Sequence, residues 1–283
     1  RGTLDSNRGV IYMNAGSGNV RVYHSWDSFS QSQGSLAETF LINGLGSSAT
    51  ALNTSPSQVA GSTSTLFVGN DIGQLWKVLN ADNPNGQTRV NLTGDEFVGS
   101  VSDIEFGKDE NHIFVTFYNY GVESIFYSSD GGENWSKKEG NLPDIPVYNI
   151  LQSPLDEDEV IIGTELGVWF TNNFSSNNPN WRQANAGMKD LRVTDMDMRK
   201  GDNKVFISTY GLGIFSGTFQ NSEPTFTISS NTTYLEILKG EKKNFDISYN
   251  VYNEFNQEVE FSIDGLPDNV NISYDPSNKY VID

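Results

Sequence analysis

Apolar positions in this chain gather in short runs separated by Gly, Asn and Asp, and one such run recurs. Four segments share a pattern of alternating apolar and polar residues: ATALNTSP from Ala49, VSDIEFGK from Val101, VYNILQSP from Val147 and VTDMDMRK from Val193. Their equivalent apolar positions, Leu52, Ile104, Ile150 and Met196, stand 52, 46 and 46 residues apart. Alternation of period two predicts strands, not helices. Each segment is followed by a second apolar run ending in a glycine turn: LFVGNDIG, IFVTFYNYG, VIIGTELG and VFISTYGLG. VIYMNAGSG near the start belongs to this second set but has no recognisable strand ahead of it. A third strand (ESIFYSSD, GVWFTNN) and a fourth (NWSKKEG, NWRQAN) complete the unit.

Four β-type segments in a period of about 46 residues, jointed by Gly and Asn, predict the blades of a β-propeller. The predicted fold class is therefore all-β, with about five recognisable blades over residues 1–219. The last unit, Leu191 to Phe219, shows three strands only. In a propeller the missing outer strand is commonly supplied by the N-terminus, which removes exposed edges. Here the chain starts in mid-blade, so roughly one to three further blades are expected upstream of Arg1. With Arg in place of Met at the start and no signal peptide in view, the sequence reads as a mature or trimmed piece.

After Ser222 the glycine turns stop and strict alternation takes over in TFTISS, YLEILKG, NFDISYNVY, VEFSIDGLP and VNISYDPS. Such strands with short polar turns predict an immunoglobulin-like β-sandwich module over 222–283. It is shorter than the usual ~100 residues of that module, so this end also reads as cut.

Composition narrows the function. At 283 residues the chain has room for about two domains. No apolar run approaches the ~20 residues of a membrane span, so no membrane insertion is expected. Asp and Glu number 36 against 18 Lys and Arg, a formal net charge of −18. That surface repels phosphate backbones, which argues against nucleic acid as a partner. The chain has no cysteine, which excludes disulfides, zinc thiolates and Cys nucleophiles. Six Asn-x-Ser/Thr triplets, at Asn53, Asn91, Asn134, Asn173, Asn231 and Asn271, are the number an Asn- and Ser-rich chain yields by chance.

The stretch FYSSDGGENW, Phe126 to Trp135, packs two glycines and an aspartate between an aromatic strand and a tryptophan. Ser128, Asp130, Gly132 and Trp135 match the pattern Ser/Thr-x-Asp-x-Gly-x-Thr-Trp, with Asn134 in place of Thr. The stretch thus resembles the Asp-box, or BNR repeat, of sialidase-like propellers. That motif also occurs in sortilin-type receptors, xyloglucanases, a photosystem assembly factor and secreted surface proteins of Bacteroidetes-type bacteria. The run NLPDIPVYNILQSPLDEDEVIIGTELGVWFTNN is similar to blades of the last group. The resemblance covers residues 9–219 and speaks for the fold more than for an activity. TNNFSSNNPNW departs from it as a degenerate box with an insertion, and HSWDSF near His24 departs further.

The residues of the box suit structural duties. Asp130 can accept backbone N–H bonds inside its own hairpin, Gly131 and Gly132 can take positive φ, and Trp135 can bury its ring between blades. If strands run up and down within a blade, this turn lies opposite the turns that join second and third strands. Those opposite turns carry the ligand-binding candidates: Asp71, Tyr118, Tyr120, Glu165 and Tyr210, with Asp95, Glu96 and Asp190 in the connections between blades. Aromatic faces beside carboxylates hold sugars by stacking and hydrogen bonding, and the carboxylates are also candidate calcium ligands. The competing reading is that Tyr and Asp simply favour strand ends.

Two acidic pairs, Asp103 with Glu105 and Asp195 with Asp197, project to one side of strands that border a central channel. Carboxylates about 5–9 Å apart run glycoside hydrolysis, whereas propellers also use them to bond the backbone of neighbouring blades. Sialidase chemistry is disfavoured, because arginines are few and scattered and the Arg-Ile-Pro triplet is absent. His24 and His112 lie in different units, which leaves a catalytic triad or a histidine metal site without support. LDEDE at Leu155 to Glu159 reads as a solvated turn, and NAGSGNV lacks the helix a nucleotide loop needs.

The expectation is a non-enzymatic binding or scaffold protein of the cell exterior, whose propeller presents a face to a glycan or protein partner and needs no cofactor. The resemblance implies export by the type nine secretion system. Two alternatives stand beside it: a glycoside hydrolase acting on neutral polysaccharide through Asp103, Glu105, Asp195 or Asp197, and a structural subunit of a surface assembly.

Overall fold

The computed structural model describes residues 1–24, 39–56, 63–184, 191–219, 225–230, 232, 234–252, 255–263, 265–267, 269–275 and 277–282. The chain divides into two compact units, Arg1–Phe219 and Gln220–Asp283.

Unit 1 is a series of antiparallel sheets, each a simple meander. Sheet 1 runs β1 (Gly2–Asp5), β2 (Val10–Gly16), β3 (Asn19–Tyr23), β4 (Thr39–Ile42). Sheet 2 runs β5 (Ala49–Thr54), β6 (Leu66–Asn70), β7 (Leu75–Leu79), β8 (Thr88–Asn91). Sheet 3 follows with β9 (Val101–Phe106), β10 (Ile113–Phe117), β11 (Ile125–Ser128) and β12 (Ser136–Lys137). Sheet 4 has β13 (Val147–Gln152), β14 (Val160–Thr164), β15 (Gly167–Thr171) and β16 (Arg182–Ala184). Sheet 5 has three strands, β17 (Val193–Arg199), β18 (Lys204–Thr209) and β19 (Gly213–Thr218).

The first sheet corrects the expectation of a chain that begins in mid-blade. Gly2–Asp5 pairs with Val10–Met13 and supplies the inner strand. Gly2, Thr3 and Asp5 leave Leu4 as the one large apolar residue, so this strand carries no apolar run to announce itself; it is placed by its ladder to β2 and by Ser64, whose hydroxyl donates to the buried Asp5 at 2.7 Å.

The inner strands β1, β5, β9, β13 and β17 pack in series, and a hydrophobic cluster fills each gap between sheets. Sheets 2 to 4 each have one face toward the next sheet and one toward the preceding sheet. Four of the five inner strands carry the same β-bulge, at Thr50, Ser102, Tyr148 and Thr194. A bulge interrupts the alternation and re-aims the chain on either side of it. It sends Val101 and Val193 back onto the preceding sheet, where each presses on a glycine. A Cβ on Gly69 would stand 2.4 Å from Val101, and one on Gly163 would stand 2.6 Å from Val193. Beyond the bulge, the side chains at the next positions point forward. Asn53 Nδ2 donates to Ile104 O at 2.8 Å, the Ile150 N–H donates to Asp103 Oδ2 at 3.1 Å, and Asn149 Nδ2 donates to Asp195 Oδ1 at 3.3 Å.

Unit 2 holds two antiparallel pairs, β20 (Thr225–Ser230) with β21 (Ile247–Tyr252) and β22 (Gln257–Glu260) with β23 (Lys279–Ile282). YLEILKG and VNISYDPS form no strand over their described residues. Their apolar residues, among them Leu238 and Ile272, stay exposed, and alternation without a partner surface to bury it does not hold a strand.

Candidate functional site

The two ends of each sheet have different chemistry. At one end lie the turns joining first to second and third to fourth strands, and in sheet 3 these touch: the Gly131 N–H donates to Asn111 O at 3.0 Å. Ser128 Oγ donates to Asp130 Oδ1 at 2.8 Å and accepts the Gly132 N–H at 2.9 Å. Asp130 Oδ1 accepts the Asn134 N–H at 2.9 Å, and Oδ2 accepts from Asn134 Nδ2 at 2.7 Å. These donors, the Asn134 amide first, hold the Asp130 carboxyl down at about 2. Gly131 and Gly132 take φ of 76° and 93°. Trp135 leaves the hairpin, stacks edge-on against Phe97 and donates from Nε1 to Leu92 O, at the end of sheet 2, at 2.9 Å.

Sheet 4 repeats this arrangement through residues with little sequence likeness. Thr171 Oγ1 donates to Asn173 Oδ1 at 2.7 Å, the Asn180 N–H donates to the same oxygen at 2.9 Å, and Trp181 Nε1 donates to Lys138 O at 3.0 Å. Thr171, Asn173, Asn180 and Trp181 thus stand where Ser128, Asp130, Asn134 and Trp135 stand one sheet earlier. The intervening insertion is braced by Lys138, buried and over the Phe174 ring at 5.1 Å, whose ammonium donates to the carbonyls of Phe174 (3.0 Å) and Ser176 (2.8 Å). Since Asn173 serves only as an acceptor in these bonds, Asn173→Asp is expected to strengthen them, raising stability at pH 7 by about 0.5–1 kcal/mol in urea unfolding.

At the other end sit the turns joining second and third strands. Asp71, Tyr118, Glu165 and Tyr210 occupy one equivalent position, the first residue beyond the second strand. Each donates its N–H to the residue that leads into the inner strand of the same sheet: Ser48 O (3.1 Å), Ser100 O (3.4 Å), Pro146 O (3.1 Å) and Arg192 O (2.9 Å). The topology therefore brings these four predicted residues, with Tyr120, to one end of unit 1. Asp95 and Glu96 are exposed in the connection from sheet 2 to sheet 3, where Glu96 pairs with Lys137. Asp190 and most of HSWDSF lie outside the described residues.

The centre of this face is a residue that strand alternation passed over. Tyr148, in the β13 bulge, stacks on Tyr118 with ring centroids 6.3 Å apart and planes 10° apart. The Arg192 guanidinium covers the Tyr148 ring at 4.7 Å, and the Tyr148 hydroxyl donates to Glu165 Oε2 at 2.5 Å. Arg192 Nε lies 3.9 Å from the same carboxylate oxygen. Partial burial, then the Glu165 carboxylate, push the Tyr148 phenol up to about 12, so it stays protonated and donating. The signal for Tyr148 was its place in the repeat, where Thr50, Ser102 and Thr194 are its small hydroxyl equivalents. Around this network the turns expose a large apolar side chain from sheet after sheet: Ile72 (58%), Tyr120 (62%), Leu166 (43%) and Tyr210 (74%), with Val98 between sheets.

The carboxylates of the inner strands β9 and β17 form a second locus. Asp103 is held by its Ile150 and Ile104 N–H donors, and Glu105 Oε1 accepts its neighbour's N–H from Phe106 at 3.0 Å. Asp195 receives Asn149, and Asp197 Oδ1 takes the Met198 N–H at 2.7 Å. Burial drives both Asp103 and Glu105 upward, and repulsion adds to it, from Asp195 on Asp103 and from Asp103 and Asp197 on Glu105. Among the described residues no group of three or more His, Asp or Glu side chains is placed to hold a metal ion. LDEDE is a closed turn, with the Asp158 N–H on Asp156 Oδ1 at 2.9 Å and Glu157 paired to Lys108 at 3.0 Å. His112 pairs with Asp109 at 2.6 Å, and His24 lies beside Phe40. No helix among the described residues is long and apolar enough to cross a membrane.

No family model matches this sequence, and no curated protein sequence does. Solved structures do match. One is Raptor of Chaetomium thermophilum, with TM-score 0.52 and 11% identity over 77% of this chain. Another is the RRP9 WD40 repeats, with TM-score 0.52 and 10% identity over 73% of this chain. The fold is β-propeller-like. This chain covers 20% of the Raptor chain and 58% of the RRP9 chain, so at these identities the likeness concerns architecture alone.

Proposed function

We propose that the chain is a non-enzymatic scaffold whose propeller-like unit docks a protein partner on the face of the second-to-third-strand turns. The observation that carries this reading is the apolar rim of Ile72, Leu166, Tyr120 and Tyr210 around the Tyr118–Tyr148–Arg192–Glu165 network. Exposed aliphatic and aromatic side chains around an ordered Tyr–Arg–carboxylate centre have the composition of an interaction hot spot, with aromatic anchors and a half-exposed Arg192–Glu165 pair beside them. Aliphatic rims contribute little to sugar binding, which favours a protein over a glycan on this face. An architecture shared with Raptor and with WD40 repeats accords with an interaction role.

Within this proposal sheets 3 and 4 are blades of the Asp-box type, their Ser–Asp–Trp and Thr–Asn–Trp elements acting as clasps to the preceding blade. Location at the cell exterior, the immunoglobulin-like character of unit 2 and export by the type nine route rest on the resemblance of the sequence to secreted surface propellers.

The test is a triple variant, Tyr120→Ala with Leu166→Ser and Tyr210→Ala. All three positions are exposed, so its Tm should stay within about 2 °C of the parent. Binding to partners identified by proximity labelling should weaken at least about tenfold. Unchanged partner binding, or retained binding on a glycan array at this face, would reject the reading.

A second reading has one observation in its favour. The raised Asp103 and Glu105 carboxyls can stay protonated near neutral pH, as the general acid of a glycoside hydrolase must. Turnover of a neutral β-glucan that disappears in Asp195→Asn would establish it.

A further inference from the structure

The turn face already holds one cation of its own, and the way it is held shows what else this face can take. The Arg192 guanidinium lies on the Tyr148 ring with Glu165 beside it, so an aromatic face and a carboxylate close on one positive charge. One sheet earlier the same equipment recurs. The β10–β11 turn carries Tyr120, 62% exposed, and the connection from sheet 3 to sheet 4 brings carboxylates against that turn. Asp144 Oδ1 accepts the Gly121 N–H at 2.6 Å, and Glu139 Oε2 accepts the Ser124 N–H at 2.7 Å. Glu123 belongs to the same turn and lies within hydrogen-bond reach of Glu139.

These contacts fix three carboxyl groups along one lip of the face, where they repel one another. Burial, then the Glu123 and Asp144 carboxylates, push the Glu139 carboxyl up to about 7. Among the described residues no Lys or Arg forms an ion pair with any of the three, and Lys137, whose charge reaches Glu123, is paired with Glu96. Nor do they converge on one point as the ligands of a metal ion do. Spread carboxylates beside an open aromatic ring suit ammonium or guanidinium groups on long stems, whose methylenes lie along the ring while the charge reaches the acids.

Given the docking face proposed above, we propose that its partner presents a basic segment, lysines or arginines set among aliphatic residues, whose cations seat on Tyr120 between Glu123, Glu139 and Asp144. The aliphatic residues of that segment cover Leu166 and Tyr210 on the adjoining turns. Charge complementarity selects this occupant: the chain has a formal net charge of −18, and this lip gathers acids beside the apolar rim. An acidic segment would meet repulsion here, whereas a basic one is steered in, with an attraction that fades as salt rises.

The test is fluorescence anisotropy of labelled peptides of about twelve residues, built from Lys-Leu-Ser-Gly, Gln-Leu-Ser-Gly or Glu-Leu-Ser-Gly repeats, titrated with the 283-residue chain. In about 50 mM NaCl the lysine peptide should bind at least about tenfold more tightly than the glutamine peptide, the glutamate peptide most weakly, and the gap should narrow in about 300 mM NaCl. Glu123→Gln with Asp144→Asn keeps the acceptor for Gly121 and should weaken the lysine peptide at least about fivefold, leaving the glutamine peptide within about twofold. Glu133→Gln with Glu157→Gln removes the same charge from the opposite end of the sheets and should change neither affinity. No binding of the lysine peptide, equal affinity for the lysine and glutamine peptides, or equal losses in the two double variants would each overturn the basic partner. The docking face is judged apart from it: equal peptide affinities that both collapse in the Tyr120→Ala, Leu166→Ser, Tyr210→Ala variant would uphold the face and reject only the basic segment.

Discussion

Replacing Trp181 by alanine is expected to cost unit 1 about 4 kcal/mol of stability, near the upper end of what a single core truncation removes. The side chain is 1% exposed, lies in the cluster between sheets 3 and 4, and donates to Lys138 O. Its removal leaves a cavity beside Phe174 and an unpaired buried carbonyl, two costs that add. Trp181→Phe refills most of the volume but not the hydrogen bond, so about half of the loss should remain. Trp135→Ala is the informative control, because Trp135 makes the equivalent bond to Leu92 O while only half-buried. It should cost less than Trp181→Ala. Urea unfolding followed by far-UV circular dichroism measures all three, and equal losses for Trp135→Ala and Trp181→Ala would show that the sheet-to-sheet tryptophan bond, not the burial, dominates.

Glu105→Gln is expected to stabilise unit 1 at pH 8 by about 1–2 kcal/mol and to leave it nearly unchanged at pH 4. Burial and the neighbouring Asp103 and Asp197 carboxylates raise the Glu105 carboxyl in the folded chain, and Asp103 is raised in the same way. The folded state therefore binds more protons than the unfolded chain above the ordinary carboxylate range of about 4. Stability from this source is whole below that range and is lost as pH rises through the folded values. Between pH 5 and 8 the parent should therefore weaken as the solution becomes more alkaline. Glutamine keeps the acceptor that Glu105 offers the Phe106 N–H but never ionises, so the slope should flatten without vanishing, since Glu139 is also raised by burial, to about 7. Asp130, held at about 2, enters only under strongly acid conditions. Asp103 and Glu105 are only half-buried, which keeps the gain below that of a dry site. A Glu105→Gln variant weaker than the parent at pH 8 would show that the charge is compensated in the folded chain.

Both results bear on what the carboxylates do. Asp103 spends its oxygens on backbone N–H groups, one of them from the next sheet, which is the duty of a structural side chain. The turn face has the opposite character: Tyr118 stacks on Tyr148 beside Arg192, while Ile72, Tyr120, Leu166 and Tyr210 are left open to solvent.

The alternation in VSDIEFGK, VYNILQSP and VTDMDMRK was enough to place the inner strands β9, β13 and β17, and the glycine turns to place β6, β10, β14 and β18, because local pattern and local turn chemistry agree there. Asp71, Tyr118, Glu165 and Tyr210 could be assigned to one end for the same reason: up-and-down strands leave no other place for those turns. Three things were beyond a linear reading. The short strand Gly2–Asp5 exists only through its partner β2. Thr171, Asn173 and Trp181 form a clasp across an insertion that separates them in sequence, held open by the Lys138 ammonium of the preceding sheet. Tyr148 becomes the centre of the face only because a bulge turns it out of the alternation, neighbouring sheets bring Tyr118 and Arg192 to it, and the β14–β15 turn of its own sheet brings Glu165. Period and turn chemistry are properties of consecutive residues and can be read one strand at a time. Which sheet meets which, and which polar group finds a partner across the gap, is settled only when the sheets pack.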